Sequence, residues 1–304
     1  MAKVPIHFIG FLANVDNSIS GLEMGNGFVV EHKSKSDVSP FLGEIGRYHK
    51  CFGSQTAFSV LSQSHYCVVG DDVARFEAAS QGGVGIRWRV CQEVHRRVQD
   101  KCRLLRLFGE GNVALACSFM YHLVDGDKTP SCLASAVRDY PILDTGRFRL
   151  TADELPKAES FLQSTSLPLS NKALQLALES FDKSYETDDI GLAFLSLMIA
   201  MEVSLNPSDH ELRYRISRNA GVLLGQDRAG GEAIFKEMKG LYDKRSTLVH
   251  TGDRSVVSRD DTLKLRGYVR EAIKEAMKSG KSKDALLNTL NACGFGERPW
   301  RMKQ

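Results

Sequence analysis

Hydrophobic positions along the chain have two textures that change near residue 150. Before it they form short segments rich in Val, Phe, Ile and Tyr, cut by Gly, Asn and Asp: Gly27-Phe-Val-Val30, Ala57-Phe-Ser-Val-Leu61, His65-Tyr-Cys-Val-Val69 and Gly85-Ile-Arg-Trp-Arg-Val90. The last alternates as a half-buried strand does, and Gly70-Asp-Asp and Gly82-Gly read as turns. Cys91, Val94, Val98, Cys102 and Leu105 keep helical spacing, so one helix is expected over about 91–107. Gly109-Glu-Gly-Asn ends it, and 113–123 returns to strand.

From Thr151 onward the period is helical, with helices expected at about 152–165, 171–186, 188–205, 210–224, 231–250, 259–279 and 283–292. Thr151-x-x-Glu154 has the form of a capping box, Ser170 and Thr187-Asp-Asp look like helix starts, and Gly225, Gly252 and Gly280 stand where C-terminal stops belong. The expected architecture is α+β: a β-rich N-terminal domain over 1–152, a helical bundle over 153–295 and a tail over 296–304.

Composition narrows the function classes. The 304 residues are 42% hydrophobic and 25% charged, which excludes a disordered tail or a disulfide miniprotein. The seven cysteines lie no closer than Cys91 and Cys102, so no Cys-x-x-Cys element exists to hold zinc. They suit small core residues in a reducing compartment, and a cytoplasmic location is expected. A buried first strand explains Met1-Ala-Lys-Val-Pro-Ile-His-Phe-Ile-Gly10 better than a secretory signal does. The longest apolar run, Ile190 to Val203, is too short to span a bilayer, so no membrane is expected as partner. No metalloprotease, phosphate-loop or nucleophile-elbow motif occurs, and neither metal nor cofactor is expected.

Net charge is only +3, but it is unevenly placed. Residues 157–212 carry 3 basic and 9 acidic residues, whereas 213–283 carry 17 and 9. Arg213, Arg218 and Lys244 in this basic block are the candidate RNA-binding residues; a solvated helical surface accounts for the count as well. Arg87-Trp-Arg and His95-Arg-Arg suggest an aromatic–basic patch, although the plainer expectation puts Trp88 in the core.

Two helices carry a charge inside an apolar stripe. In the first, Leu195, Met198 and Leu205 leave a gap occupied by Glu202; in the second, Ile234, Met238, Leu241 and Leu248 leave one occupied by Arg245. A guanidinium in an apolar arc is costly unless paired, so an Arg245–Glu202 contact is expected. Taken alone it reads as a structural ion pair. His250 closes the same helix, five residues or about 7.5 Å beyond Arg245, and Ser246 shares its face and can orient the ring. A helix C-terminus favours an imidazolium, and a C-capping histidine is the plain reading.

Arg245-Ser-Thr-Leu-Val-His250 resembles the Arg-x4-His signature of HEPN domains, and the surroundings are similar to the Apea-like branch. The likeness is carried by Ala200-Met-Glu-Val-Ser-Leu205, Glu211 to Gly225 and Leu241 to His250, and covers roughly 185–280, about a third of the chain. Leu104 to Val113 looks like the β-rich region that often precedes this domain. The chain departs from the wider pattern at Ser246, where Asn, Asp or His is frequent, and at Thr251, where Gly is frequent.

The resemblance implies a helical bundle that dimerises and a metal-independent ribonuclease used in defence or stress response. His250 would move protons between the ribose 2′-hydroxyl and the leaving 5′-oxygen. Arg245 would hold the scissile phosphate, with Glu202 fixing it. Some members keep the fold and only bind RNA, nucleotide or a protein, so a catalytically silent module is the alternative.

Overall fold

The computed structural model describes residues 6–52, 66–70, 84–134, 147–206 and 210–297. The strand expected at 57–61 and the turn residues 71–72 and 82–83 lie outside them. The chain is α+β and divides into two compact units, Met1–Leu167 and Pro168–Gln304.

The first unit is built on an antiparallel sheet of β1 (His7–Ala13), β2 (Glu23–Gly25), β3 (Phe28–His32), β4 (Tyr66–Gly70), β5 (Ala114–Val124) and β6 (Asp127–Ala134), in the order β2-β3-β4-β1-β5-β6. Two hairpins turn on Asn26-Gly27 and Asp125-Gly126, all four residues at positive φ, which matches the twist of the flanking strands. Central β1 divides its side chains between two cores. Phe8 and Leu12 join Val30, Val68, Leu115 and Met120, while Ile9 and Phe11 join Cys67, Ala116 and Phe119. Because both faces are covered, β1 has no polar alternation. Phe11 lies opposite Cys117 but Leu12 opposite Leu115, so Ala116 forms a bulge.

Helix α1 (Lys35–Phe52) covers one face with Val38, Phe41 and Ile45, the Phe41 and Phe119 rings lying 5.3 Å apart. The other face takes α2 (Val84–Phe108) through Cys91, Val94, Val98, Cys102 and Leu105. Beside it lies α3 (Leu155–Ser164), which contributes Ala158 and Leu162. The backbone N–H of Glu23 on edge strand β2 donates to the Glu159 carboxylate of α3 at 3.0 Å.

Three expectations are corrected. Residues 35–52 are a helix, although Pro40, Gly43 and Gly46 break the local propensity and give the segment a loop-like texture. Gly85 to Val90 is the start of α2, not a strand, and Trp88 is 53% exposed rather than in the core. Six residues of alternation do not separate a strand from two helical turns that lack cover. The division of the chain falls after α3, at 167/168 and not at 152/153, because α3 buries its apolar face on the sheet unit.

Gly109-Glu-Gly-Asn closes α2 as expected, whereas Leu104 to Phe108, in the segment likened to a β-rich region, is still helix; two side-chain hydrogen bonds staple the turn. Arg106 Nε donates to the Val113 carbonyl at 2.8 Å, and Asn14 Nδ2 donates to the Asn112 carbonyl at 3.0 Å. Gly111 has φ +132° and lies so close to Phe148 that a Cβ would be 2.5 Å from its Cα.

The second unit consists of α4 (Lys172–Lys183), α5 (Ile190–Leu205), α6 (Leu212–Leu224), α7 (Arg228–Thr251), α8 (Arg259–Ser279) and α9 (Lys283–Ala292). The caps sit a residue or two from those expected, at Asn171 and Asp189, whose carboxamide and carboxylate accept backbone N–H groups of the first turn. Thr151 and Glu154 form half a capping box. The Glu154 carboxylate accepts from both the backbone N–H and the hydroxyl of Thr151, and α3 starts only at Leu155. Gly252 and Gly280 end α7 and α8 at positive φ. Gly225 ends α6 with φ −56°, and its need is steric: a Cβ there would be 2.4 Å from Gly231 Cα, so α6 and α7 touch through backbone. Deep in this unit Arg266, 2% exposed, donates to the Ser184 carbonyl at 2.8 Å at the end of α4 and lies over the Tyr185 ring.

Candidate functional site

Two helices bring the out-of-place charges together. Asp189 caps α5 by accepting from Leu192 N–H, and α5 is buried on most of its circumference, with Leu197, Met198, Met201 and Leu205 inaccessible. Asp227 caps α7 by accepting from Gly230 N–H at 2.7 Å, and α7 packs through Met238, Leu241, Tyr242 and Leu248. The α7 C-terminus lies beside the N-terminus of α5: Leu248 neighbours Gly191, and Arg254 donates to the Asp189 carboxylate.

The expected contact is present. A terminal nitrogen of Arg245 lies 3.4 Å from Glu202 Oε1, with 28% and 21% of the two side chains exposed. The separation makes it an ion contact rather than a short hydrogen bond, and Oε1 itself is closed to solvent.

A third member was not singled out from sequence. The guanidinium carbon lies 5.7 Å from the Tyr242 ring centroid, and Tyr242 is buried. Burial pushes the Tyr242 phenol above its ordinary pKa; the Glu202 charge and its hydrogen bond with the hydroxyl add to the rise, and Arg245 opposes it. Tyr242 is three residues before Arg245, where long helical side chains lean, so its spacing was the available signal.

His250 lies in the last turn of α7 and is exposed. No hydrogen bond joins it to Ser246 among the described residues, so Ser246 does not orient the ring. The helix end beneath is firm: Thr251 Oγ1 donates to the Thr247 carbonyl at 2.7 Å, and Gly252 N–H donates to the Leu248 carbonyl at 3.0 Å. Arg245 leans toward Tyr242, toward the start of α7, whereas His250 stands about 7.5 Å further along the axis. In one chain the cation and the imidazole therefore do not converge.

The three candidate RNA-binding residues are all engaged. Arg213 donates to the Asp243 carboxylate at 2.5 Å, and Lys244 donates to Asp261 at 2.6 Å. Arg218 donates to the carbonyls of Leu290 and Cys293 at 2.9 and 2.7 Å, closing the end of α9. Arg218 is a helix-end ligand, and the other two need partner exchange before they meet a phosphate. Among the described residues no helix is long and apolar enough to cross a membrane, and no three His, Cys, Asp or Glu side chains cluster as metal ligands.

No family model, curated protein or solved structure matches the chain.

Proposed function

We propose that the helical unit is a metal-independent endoribonuclease of the HEPN type, acting as a homodimer. The observation that carries this reading is the Glu202–Arg245–Tyr242 cluster. It holds a partly exposed guanidinium on the same helix, α7, whose last turn presents an exposed imidazole. His250 would take the proton from a ribose 2′-hydroxyl. The 2′-oxygen would then attack phosphorus, the P–O5′ bond would break, and a proton returned to the 5′-oxygen would leave a 2′,3′-cyclic phosphate and a 5′-hydroxyl. Arg245 would offset charge on the phosphorane.

A second copy supplies what one chain lacks, because two α7 helices side by side would set the Arg245 of one protomer near the His250 of its partner. Exposed apolar residues around the cluster favour such a neighbour. Leu192 and Ile199 on α5 share a face with Glu202, and Val249 on α7 lies between Arg245 and His250; each is about half exposed.

The silent alternative, a module that binds RNA, nucleotide or a protein partner, is favoured by one feature: Arg245 leans away from His250 and toward Glu202, as a staple between helices would. Incubating the full-length protein with single-stranded and structured RNA in EDTA separates the two. Cleavage leaving 2′,3′-cyclic phosphate ends, lost in a folded His250→Ala variant, supports the nuclease. No cleavage by either, with sedimentation showing a dimer, favours the silent module. Equal cleavage by both removes His250 from the chemistry.

A further inference from the structure

The first half of α2 carries a surface that the helical unit does not explain. Trp88 is 53% and Ile86 46% exposed, a costly position for two apolar side chains. At 100° per residue, Trp88, Gln99, Gln92, Arg96 and Arg89 fall within one arc of about 100°, turned away from the buried stripe of Cys91, Val94, Val98 and Cys102. Helix α2 holds seven basic residues against two acidic, although residues 1–155 as a whole hold 17 of each. The basic character of the sheet unit is thus concentrated on this helix. Arg89 is exposed and has no ion-pair partner among the described residues. Arg96 is 62% exposed and meets Asp100 only at 3.4 Å.

We infer that this face of α2 binds single-stranded RNA. One base stacks on the Trp88 indole, and Arg89 and Arg96, about 10 Å apart along the axis, hold phosphates on the same strand. The aromatic ring selects a single strand, since a base within a duplex has no free face to offer it. The charge selects a polyanion. Trp88 in an otherwise polar arc, with Ile86 about 60° outside it, offers too little apolar surface for an amphipathic membrane helix. This site is separate from the proposed nuclease chemistry and does not depend on it.

The test uses the full-length chain with Trp300→Phe, which leaves Trp88 as the sole tryptophan of the two. The probe is a 2′-O-methyl oligoadenylate of about twelve nucleotides, which has no free 2′-hydroxyl and so reads binding whether or not the chain is a nuclease. The expected result is quenching of Trp88 emission, with Trp88→Ala weakening a labelled probe by about 5- to 150-fold and Trp88→Phe by much less. Arg89→Glu should flatten the dependence of log affinity on log salt by roughly 0.7 or more. Absence of quenching at saturating probe overturns the inference, as does equal quenching by inorganic polyphosphate. So does a blue shift on phosphatidylserine vesicles with no response to the oligonucleotide. The quenching arm needs no change at Trp88, so a poorly folded Trp88→Ala does not spoil the test.

Discussion

Exchanging Glu202 for glutamine keeps the side chain's shape and removes its charge, and the local geometry sets the expected effect. The Arg245–Glu202 contact is 3.4 Å long, with 28% and 21% of the two side chains exposed. At the effective dielectric of about 20 that suits a pair near a protein surface, the bare attraction is roughly 5 kcal/mol, most of which is offset by desolvation of the two charges. A double-mutant cycle of wild type, Glu202→Gln, Arg245→Met and both together should therefore give a coupling of about 1 kcal/mol. The single changes should be unequal. Removing Arg245 strands a carboxylate oxygen that water does not reach, at a cost of about 2–3 kcal/mol. Removing the Glu202 charge leaves a guanidinium that can rehydrate through its exposed edge, at about 1 kcal/mol. Urea unfolding of the full-length protein, followed by far-UV circular dichroism, reads all four corners. A coupling within roughly 0.3 kcal/mol of zero, the additivity error, would refute the reasoning. Glu202→Gln proving as costly as Arg245→Met would refute it too.

Three further outcomes follow from the same unit. Tyr242 has a raised pKa, so its neutral form stabilises the fold; above about pH 10 the unfolded chain loses that proton first, and stability declines as pH rises. Tyr242→Phe should make this alkaline decline shallower, measured by thermal melts from pH 8 to 11. Burial pushes Asp261 upward, but hydrogen bonds from Lys244 and Ser258 outweigh it and its pKa is lowered. Its contribution is therefore present above about pH 4 and is lost as pH falls through the lowered value. Asp261→Asn should cost about 1 kcal/mol at pH 7 and flatten the acid limb of a stability–pH curve, since Asp261 also closes the capping box with Ser258. Gly225→Ala should destabilise by about 3 kcal/mol because the new methyl meets the Gly231 backbone, whereas Gly240→Ala, with open space around it, should stabilise by about 0.5–1 kcal/mol. Opposite shifts in melting temperature check that pair.

The helical half was legible nearly to its helix boundaries because two independent signals agree there. The apolar period marks each helix body, and Asp, Asn, Ser and Gly mark its ends. In the sheet unit β1, β3, β4 and β5 were legible as apolar segments, but α1 was not, since Pro40 and two glycines interrupt a stripe of only Val38, Phe41 and Ile45. Edge strand β6, Asp127-Lys-Thr-Pro-Ser-Cys-Leu-Ala134, reads as loop: Pro130 and the polar residues suit a strand that keeps one side unpaired. Ile86 and Trp88 misled for the opposite reason, as apolar residues without a core to enter.

At the site, Glu202 and Arg245 could be paired from sequence because each breaks an apolar stripe and each break requires a compensating charge. The role of Tyr242 was hidden, since an aromatic at the edge of a stripe looks like core. The charge sum over 213–283 misled about Arg218, which spends its donors on the end of α9. Depth of burial does not mark a functional cation either. Arg266 is far less exposed than Arg245, yet its donors bind Ser184 at the end of α4, a structural use. Arg245 differs in kind. Its counter-charge lies on another helix at ion-contact distance, its ring support comes from its own helix, and its outer edge meets solvent. A guanidinium held on two sides and open on the third can receive a phosphate without first leaving a helix terminus. That is the physical basis for placing the proposed chemistry at Arg245 rather than at the deeper arginine.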